Sequence, residues 1–281
     1  MLFCGCEKNI SFNLKEAPSV LVVDAQIENN VYPTVILTRS FGFFDMISPQ
    51  LLSNAFVHNA DVEVSNGTQN QRLKEYAFPL GGSYTGYIYT IDTANPVNTF
   101  KGEFNKQYQL TITDSGMQYH AVTTIPLLTK HPDSVWFIHV PLYADSNARV
   151  MMIKTTDPRG LGNYIRYFTK RNTGPFLPGE NSVFDDAIVD GTTYSIEVGQ
   201  GIDRNNKPKA DSNYFYKGDT VTLKFCDIDK GTFTFWNTWE FAQQSIGNPF
   251  AQPNKVISNI DNGALGVFSG YAAWYKTAIV K

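Results

Sequence analysis

Alternating apolar and polar residues divide the first half of the chain into short strands. Val20–Ile27 is rich in apolar and β-branched residues, and after the turn at Asn29-Asn30 the segment Pro33–Thr38 is predicted to be its hairpin partner. The same alternation recurs in Ala60–Val64, Tyr84–Ile91, Gln107–Thr113 and Gln118–Thr124. Roughly seven short strands at near-regular spacing are typical of an immunoglobulin-like β-sandwich, so residues 19–129 are predicted to form one.

The second half, residues 130–281, follows a proline-rich boundary and carries further strand patterns and one helical pattern. Strands are predicted at Ser134–Pro141, Arg149–Thr155, Asn163–Lys170, Thr192–Val198, Asp219–Cys226 and Ala272–Val280. A helix near 232–246 is predicted because apolar residues recur there at helical spacing, namely Phe235, Trp236, Trp239, Ala242 and Ile246. The expected fold is mainly β, with a second β-sandwich or barrel domain that carries one inserted helix.

Composition and charge exclude several classes of protein. Hydrophobic residues make up 42% of the chain and charged residues 17%, so the chain can bury a core and is not expected to be disordered. The net charge is -3, whereas nucleic-acid-binding proteins usually carry a positive surface, so no nucleic-acid partner is expected. No stretch approaches the roughly 18 consecutive apolar residues of a membrane-spanning helix, so any membrane attachment must be of another kind.

Two of the three cysteines, Cys4 and Cys6, lie at the very start of the chain. Secreted bacterial lipoproteins carry an apolar run, a small residue and then an acylated cysteine, which is the order found around Gly5 and Cys6. Residues 1–18 are therefore predicted to be the remnant of a lipoprotein signal peptide followed by a tether, with lipidation at Cys6. The alternative is an unstructured N-terminus with two incidental thiols. Cys226 lies in an apolar strand pattern and is predicted to be a buried, inert thiol.

No recognised catalytic or metal-binding motif occurs in the sequence. The four histidines include no close-spaced metal-binding pair, and there is no Gly-x-Ser-x-Gly nucleophile elbow. Asp185, Asp186 and Asp190, and the later segment 203–211, do not follow the spacing of an EF-hand loop. Solvated turns are therefore favoured over a Ca²⁺ site, and neither a catalytic residue, a metal nor a cofactor is expected.

Aromatic side chains are the remaining candidates for contact with a ligand or partner. Trp236 and Trp239 lie on one face of the predicted helix, which is also the geometry of a buried face. Phe250 and Phe268 lie among the glycines, prolines and asparagines of residues 247–271, a run predicted to be too broken for regular structure over most of its length. For both phenylalanines the alternative to partner contact is a structural role in the core.

Several segments spread along nearly the whole chain resemble a large family of Bacteroidota lipoproteins, the domain of unknown function four-two-four-nine. The segments occur in the same order as in the family. Each match alone is weak evidence for membership, but the whole series of matches is specific to the family. They are Cys6–Lys8, Leu21–Ile27, Tyr119–Pro126, Asp157–Tyr164, Phe184–Asp186, Gly218–Val221, Gly247–Phe250 and Ser258–Tyr271.

The resemblance implies a secreted protein that carries palmitate or a related acyl chain at Cys6 and lies on the outer membrane. It does not distinguish the periplasmic face of that membrane from the cell-surface face. Genes of the family commonly lie beside those of TonB-dependent receptors, which implies a non-enzymatic accessory or ligand-presenting partner of a nutrient receptor. The alternative is a secreted glycan-binding module or hydrolase, in which the Asp185-Asp186 region and nearby aromatic residues form a cleft.

Overall fold

Strands dominate the computed structural model, which describes residues 18–42, 48–81, 84–140, 145–204, 214–246 and 254–281. The strands of the first half are β1 (Leu21–Glu28), β2 (Thr34–Arg39), β3 (Asp61–Ser65), β4 (Asn70–Gly81), β5 (Tyr84–Ile91), β6 (Lys106–Asp114) and β7 (Met117–Ile125). Those of the second half are β8 (Pro132–His139), β9 (Ala148–Thr156), β10 (Tyr164–Arg171), β11 (Phe176–Asp185), β12 (Thr193–Val198), β13 (Phe215–Tyr216), β14 (Thr220–Ile228) and β15 (Leu265–Ile279). The helices are α1 (Pro49–Asn54) and α2 (Lys230–Gln244).

The strands form a large and a small sheet. The large sheet has eleven strands in the order β11-β10-β14-β15-β1-β2-β5-β4-β3-β6-β7, and the small sheet consists of β8, β9, β12 and β13. Both sheets are open, which confirms a mainly β, sandwich-like fold and excludes the barrel alternative for the described residues. The last strand, β15, pairs parallel with β1 and antiparallel with β14, so it joins the two halves of the chain. The division into domains at residue 129 stays a prediction.

The core of the first half follows the period of two expected for strands. In β1, Leu21, Val23, Ala25 and Ile27 are buried, whereas the residues between them are exposed or half-buried. They pack with buried residues of β2, β3, β6 and β7 and with Phe268 of β15. Burial of this apolar surface is the main force that holds the first half together.

In the second half, β14 has apolar contacts on both faces. Its residues Val221, Leu223 and Phe225 pack with Met151 and other residues of the small sheet. On the opposite face, Cys226 and Ile228 pack towards helix α2. Burial raises the pKa of the Cys226 thiol to about 12, and the predicted buried thiol is confirmed.

Helix α2 confirms the predicted helix and begins slightly earlier. Asp229 caps it, because one carboxylate oxygen accepts from the Thr232 N–H at 2.7 Å. The predicted apolar face is only partly right: Phe235 is buried, but Ile246 is 73% exposed. Glu240 is instead buried and accepts from the Ser182 N–H at 2.8 Å. Neither helix of the described ranges is long and apolar enough to cross a membrane.

Strand β15 begins at Leu265, seven residues before the last strand predicted from Ala272, so the final part of residues 247–271 is regular structure. The glycines of this stretch allow close approach of neighbouring backbones. A Cβ at Gly266 would collide with the Val23 carbonyl, and one at Gly270 would collide with the Thr124 carbonyl of β7. Gly266 also has a φ of +111°, which disfavours any other residue there.

Candidate functional site

Two loops of the second half are tied together by aspartate carboxylates, and we call them the loop pair (residues 157–163 and 186–192). The first connects β9 to β10, and the second connects β11 to β12. The Asp186 carboxylate accepts from the Gly162 N–H at 2.9 Å and from the Asn163 N–H at 3.0 Å. Burial opposes ionisation of Asp186, but these N–H groups outweigh it and lower its pKa. The charged carboxylate therefore holds the first loop against the second.

Two further hydrogen bonds fix the loop pair. The Gly160 N–H donates to Asp190 Oδ1 at 2.7 Å, and the Asp157 N–H donates to the Thr192 carbonyl at 2.9 Å. Gly160 and Gly162 have φ values of +111° and +118°, a backbone conformation that other residues rarely adopt. These two glycines, which belong to a segment that resembles the family, therefore determine the backbone conformation of the first loop.

A buried ion pair lies beneath the loop pair. The Lys130 ammonium donates to Asp157 Oδ1, and both side chains are fully buried. The ammonium also lies 5.2 Å from the centre of the Tyr194 ring. Burial favours the neutral amine, but the interactions with Asp157 and Tyr194 together outweigh burial and raise the pKa of Lys130. Lys130 is therefore charged at neutral pH.

A second buried carboxyl, Asp227 of β14, contacts the backbone beside Lys130. Its Oδ2 accepts from the Thr129 N–H at 3.2 Å and from the Lys130 N–H at 3.3 Å. Burial raises the pKa of Asp227 to about 7, and the hydrogen bonds, which favour the charged form, only partly offset it.

The stability of the protein is expected to fall with rising pH because of Asp227. An unfolded aspartate titrates near a pKa of about 3.9, so the folded state holds an extra proton between that value and about 7. The stabilising contribution of Asp227 is fully present below pH about 3.9, decreases above that value and is lost once the pH has risen through about 7. From about pH 6 to about pH 8 the wild type should lose about 1 kcal/mol relative to Asp227→Asn, whose amide stays neutral. Urea denaturation of both proteins across this range measures the difference, and parallel pH profiles would contradict the assignment.

Three carboxylates of this region lie close enough to share a cation. One oxygen each from Asp157, Asp186 and Asp190 lies within 4.8 Å of the other two. Asp157 and Asp186 are buried, whereas Asp190 is exposed. The prediction of a solvated turn is therefore wrong for Asp186, because the chain folds the first loop over it. Neighbouring Asp185 is exposed, as a turn residue would be.

An apolar groove of about 540 Å³ lies beside the loop pair, between its second loop and helix α2. Most of its lining is apolar and includes Val183, Phe184, Ile188, Val189, Ile196 and Phe233. Ile188 is 96% exposed, and Leu161 on the other loop is 74% exposed. The loop pair thus presents two apolar side chains to solvent on a fixed backbone.

The two tryptophans predicted as partner contacts both belong to helix α2 and lie outside this groove's lining. The Arg166 guanidinium lies 3.4 Å from the centre of the Trp236 ring, and the indole N–H donates to Ser269 Oγ at 3.2 Å. Trp239 packs edge-on against Trp236 and lies 5.1 Å from the Arg204 guanidinium. Both rings are half-buried, so their contact with a partner stays a prediction.

The other predicted site residues have different outcomes. Phe268 is fully buried in the core of the first half, so its assignment as a partner contact is corrected to the structural alternative. Cys6 and Phe250 lie outside the described residues. No sequence pattern pointed to Lys130, Leu161 or Ile188. The sequence signals for the loop pair were the acidic residues Asp185, Asp186 and Asp190 and the resemblance of segments 157–164 and 184–186 to the family.

Comparison with known proteins gives one family. The family model for the domain of unknown function DUF4249 matches residues 7–277. No curated protein matches the chain. Since the match spans almost the whole sequence, this chain belongs to the family of the domain of unknown function DUF4249.

Proposed function

We propose that the protein is a non-enzymatic lipoprotein of the outer membrane that binds a TonB-dependent nutrient receptor, or presents a ligand to it, through the loop pair. The observation that carries the proposal is the exposure of Leu161 and Ile188 on loops whose backbone is fixed by Asp186 and Asp190. The anchor at Cys6 and the choice of receptor rest on the resemblance to Bacteroidota lipoproteins.

Fixed loops with apolar side chains suit a binding role. A single exposed apolar residue is common on protein surfaces, but here two occur on adjoining loops, and Ile188 also lines an apolar groove. Because hydrogen bonds already order the backbone of both loops, these loops would lose little conformational entropy when a partner binds there. Loops held on rigid sheets commonly carry binding sites.

The structure offers less support for the hydrolase alternative. Both oxygens of Asp186 accept hydrogen bonds from the Gly162 N–H, and its lowered pKa makes it a poor general acid. Asp185 is exposed at the edge of the groove and accepts from the Ala187 N–H at 3.3 Å. These contacts explain the Asp185-Asp186 pair as part of a loop.

Affinity purification of the tagged, full-length protein from native outer membranes tests the proposal. The wild type should recover a TonB-dependent receptor, and the double variant Leu161→Gln with Ile188→Gln should recover about tenfold less, which corresponds to the loss of two apolar contacts. Val97→Gln is the matched control, because Val97 is 66% exposed on a loop of the first half. Glutamine adds no charge beside the aspartates.

A Cys6→Ser variant separates failure of the anchor from failure of the surface. It should lose labelled palmitate and membrane association, while its loop pair still binds the receptor when both are present in detergent. Absence of any such receptor from the wild-type sample, or equal recovery with the double variant and with Val97→Gln, would refute the proposed binding surface.

A further inference from the structure

The carboxylates of the loop pair have the separation that a calcium ion requires. Ca²⁺ binds oxygen ligands at about 2.3 to 2.6 Å, so two ligands on opposite sides of the ion lie about 4.8 Å apart. Oxygens of Asp157, Asp186 and Asp190 all lie within 4.8 Å of one another, which is close enough for the three carboxylates to share one ion. All three donors are carboxylate oxygens, which suit Ca²⁺ better than Zn²⁺ or Cu²⁺.

A second observation points to a missing positive partner. Asp157 is fully buried, yet its Oδ2 has no hydrogen-bond donor, since Lys130 contacts only Oδ1. A buried carboxylate oxygen without a partner is costly, and such an atom in a native protein usually has a bound ion or water. The orphaned oxygen belongs to one of the three clustered carboxylates.

The charges of the cluster lead to the same conclusion. Counted at their formal charges, the three carboxylates carry -3, and the Lys130 ammonium, which contacts one of them, supplies +1. The remaining negative charge is confined to a partly buried space, where like charges repel strongly. A divalent cation would neutralise it.

We infer that Asp157, Asp186 and Asp190 bind one Ca²⁺ ion between the two loops. The ion enters from the solvent side beside Asp190, the exposed member of the cluster, and its remaining coordination positions are filled by water. The site is independent of the proposed receptor binding, although a bound ion would further fix the loops that carry Leu161 and Ile188.

Calorimetric titration of the purified, EDTA-treated protein with CaCl₂ alone tests this inference. The wild type should bind one ion per chain, and about 100-fold excess over the dissociation constant should raise the melting temperature by about 5 °C. Asp190→Asn should weaken binding at least about tenfold, because one charged ligand is lost. The amide oxygen that this substitution introduces can still accept from the Gly160 N–H, so the loops should keep their fold, which circular dichroism checks.

Asp185→Asn is the matched control, since it removes the same charge from an exposed aspartate outside the cluster. It should bind Ca²⁺ as the wild type does. Absence of both heat and a melting shift up to about 10 mM Ca²⁺, which is about tenfold above the weak end of protein sites, would overturn the inference. Equal affinities of Asp190→Asn and the wild type would overturn it as well. The assay contains no receptor, so its outcome is separate from that of the proposed function.

Discussion

Replacing Phe268 with alanine is expected to lower the free energy of unfolding by about 3 to 5 kcal/mol. The ring is 0% exposed and packs in the core of the first half. Its backbone is held in place, because the Phe268 N–H donates to Asn259 Oδ1 at 2.8 Å and its carbonyl accepts from Asn259 Nδ2 at 2.9 Å. The strand therefore cannot move inward to fill the cavity, and the cost should lie towards the upper end of this range.

Phe241→Ala provides the control for this substitution. Phe241 is 58% exposed on helix α2, so the same change there should alter stability by no more than about 0.5 kcal/mol. Urea denaturation of the two variants and the wild type gives the comparison. A Phe268→Ala protein as stable as Phe241→Ala would contradict the buried position of the ring.

The strands that the sequence predicts best are those with one buried face. In β1 and β6 every second residue is apolar, and the structure pairs both strands as expected from that alternation. Strand β4 was missed because charged residues such as Lys74 and Glu75 occupy its middle, and pairing with β3 and β5 outweighs their low strand propensity.

Two further stretches of strand were not predicted because they contain glycine or proline. Strand β11 contains Pro178 and Gly179, which resemble a turn, but a Cβ at Gly179 would collide with the Tyr167 hydroxyl. The start of β15 was not predicted because Gly266 likewise resembles a turn residue, although it packs closely against the backbone of Val23. In both strands the glycine serves close packing against a distant segment, and a local pattern cannot distinguish this role from a turn.

The candidate site depends almost entirely on contacts between distant segments. Lys130 follows β7, whereas its partner Asp157 follows β9, and Asp186 follows β11. These three strands do not pair with one another and belong to two sheets, so the cluster forms through the packing of distant segments, which spacing along the chain does not predict. The sequence shows Asp185, Asp186 and Asp190 as an acidic group and both loops as resembling the family, but nothing in it connects these residues to Asp157 or Lys130.

Replacing Lys130 with methionine is expected to destabilise the protein by about 3 to 5 kcal/mol at neutral pH. Methionine nearly matches the volume of the lysine stem, so the main effect of the substitution is electrostatic. Asp157 would remain buried without its ammonium partner and with Asp186 and Asp190 nearby. The measurement is urea denaturation in EDTA, because a cation bound by the freed carboxylate would otherwise offset the loss.

Two further variants separate the charge effect from packing. Lys106→Met makes the same change in the solvent-exposed pair with Glu103, and such pairs contribute no more than about 1 kcal/mol. The double variant Lys130→Met with Asp157→Asn should be more stable than Lys130→Met alone, since it no longer buries an unpaired charge. If the double variant is no more stable than Lys130→Met alone, the two side chains are not coupled, and the ion pair does not hold the base of the loop pair.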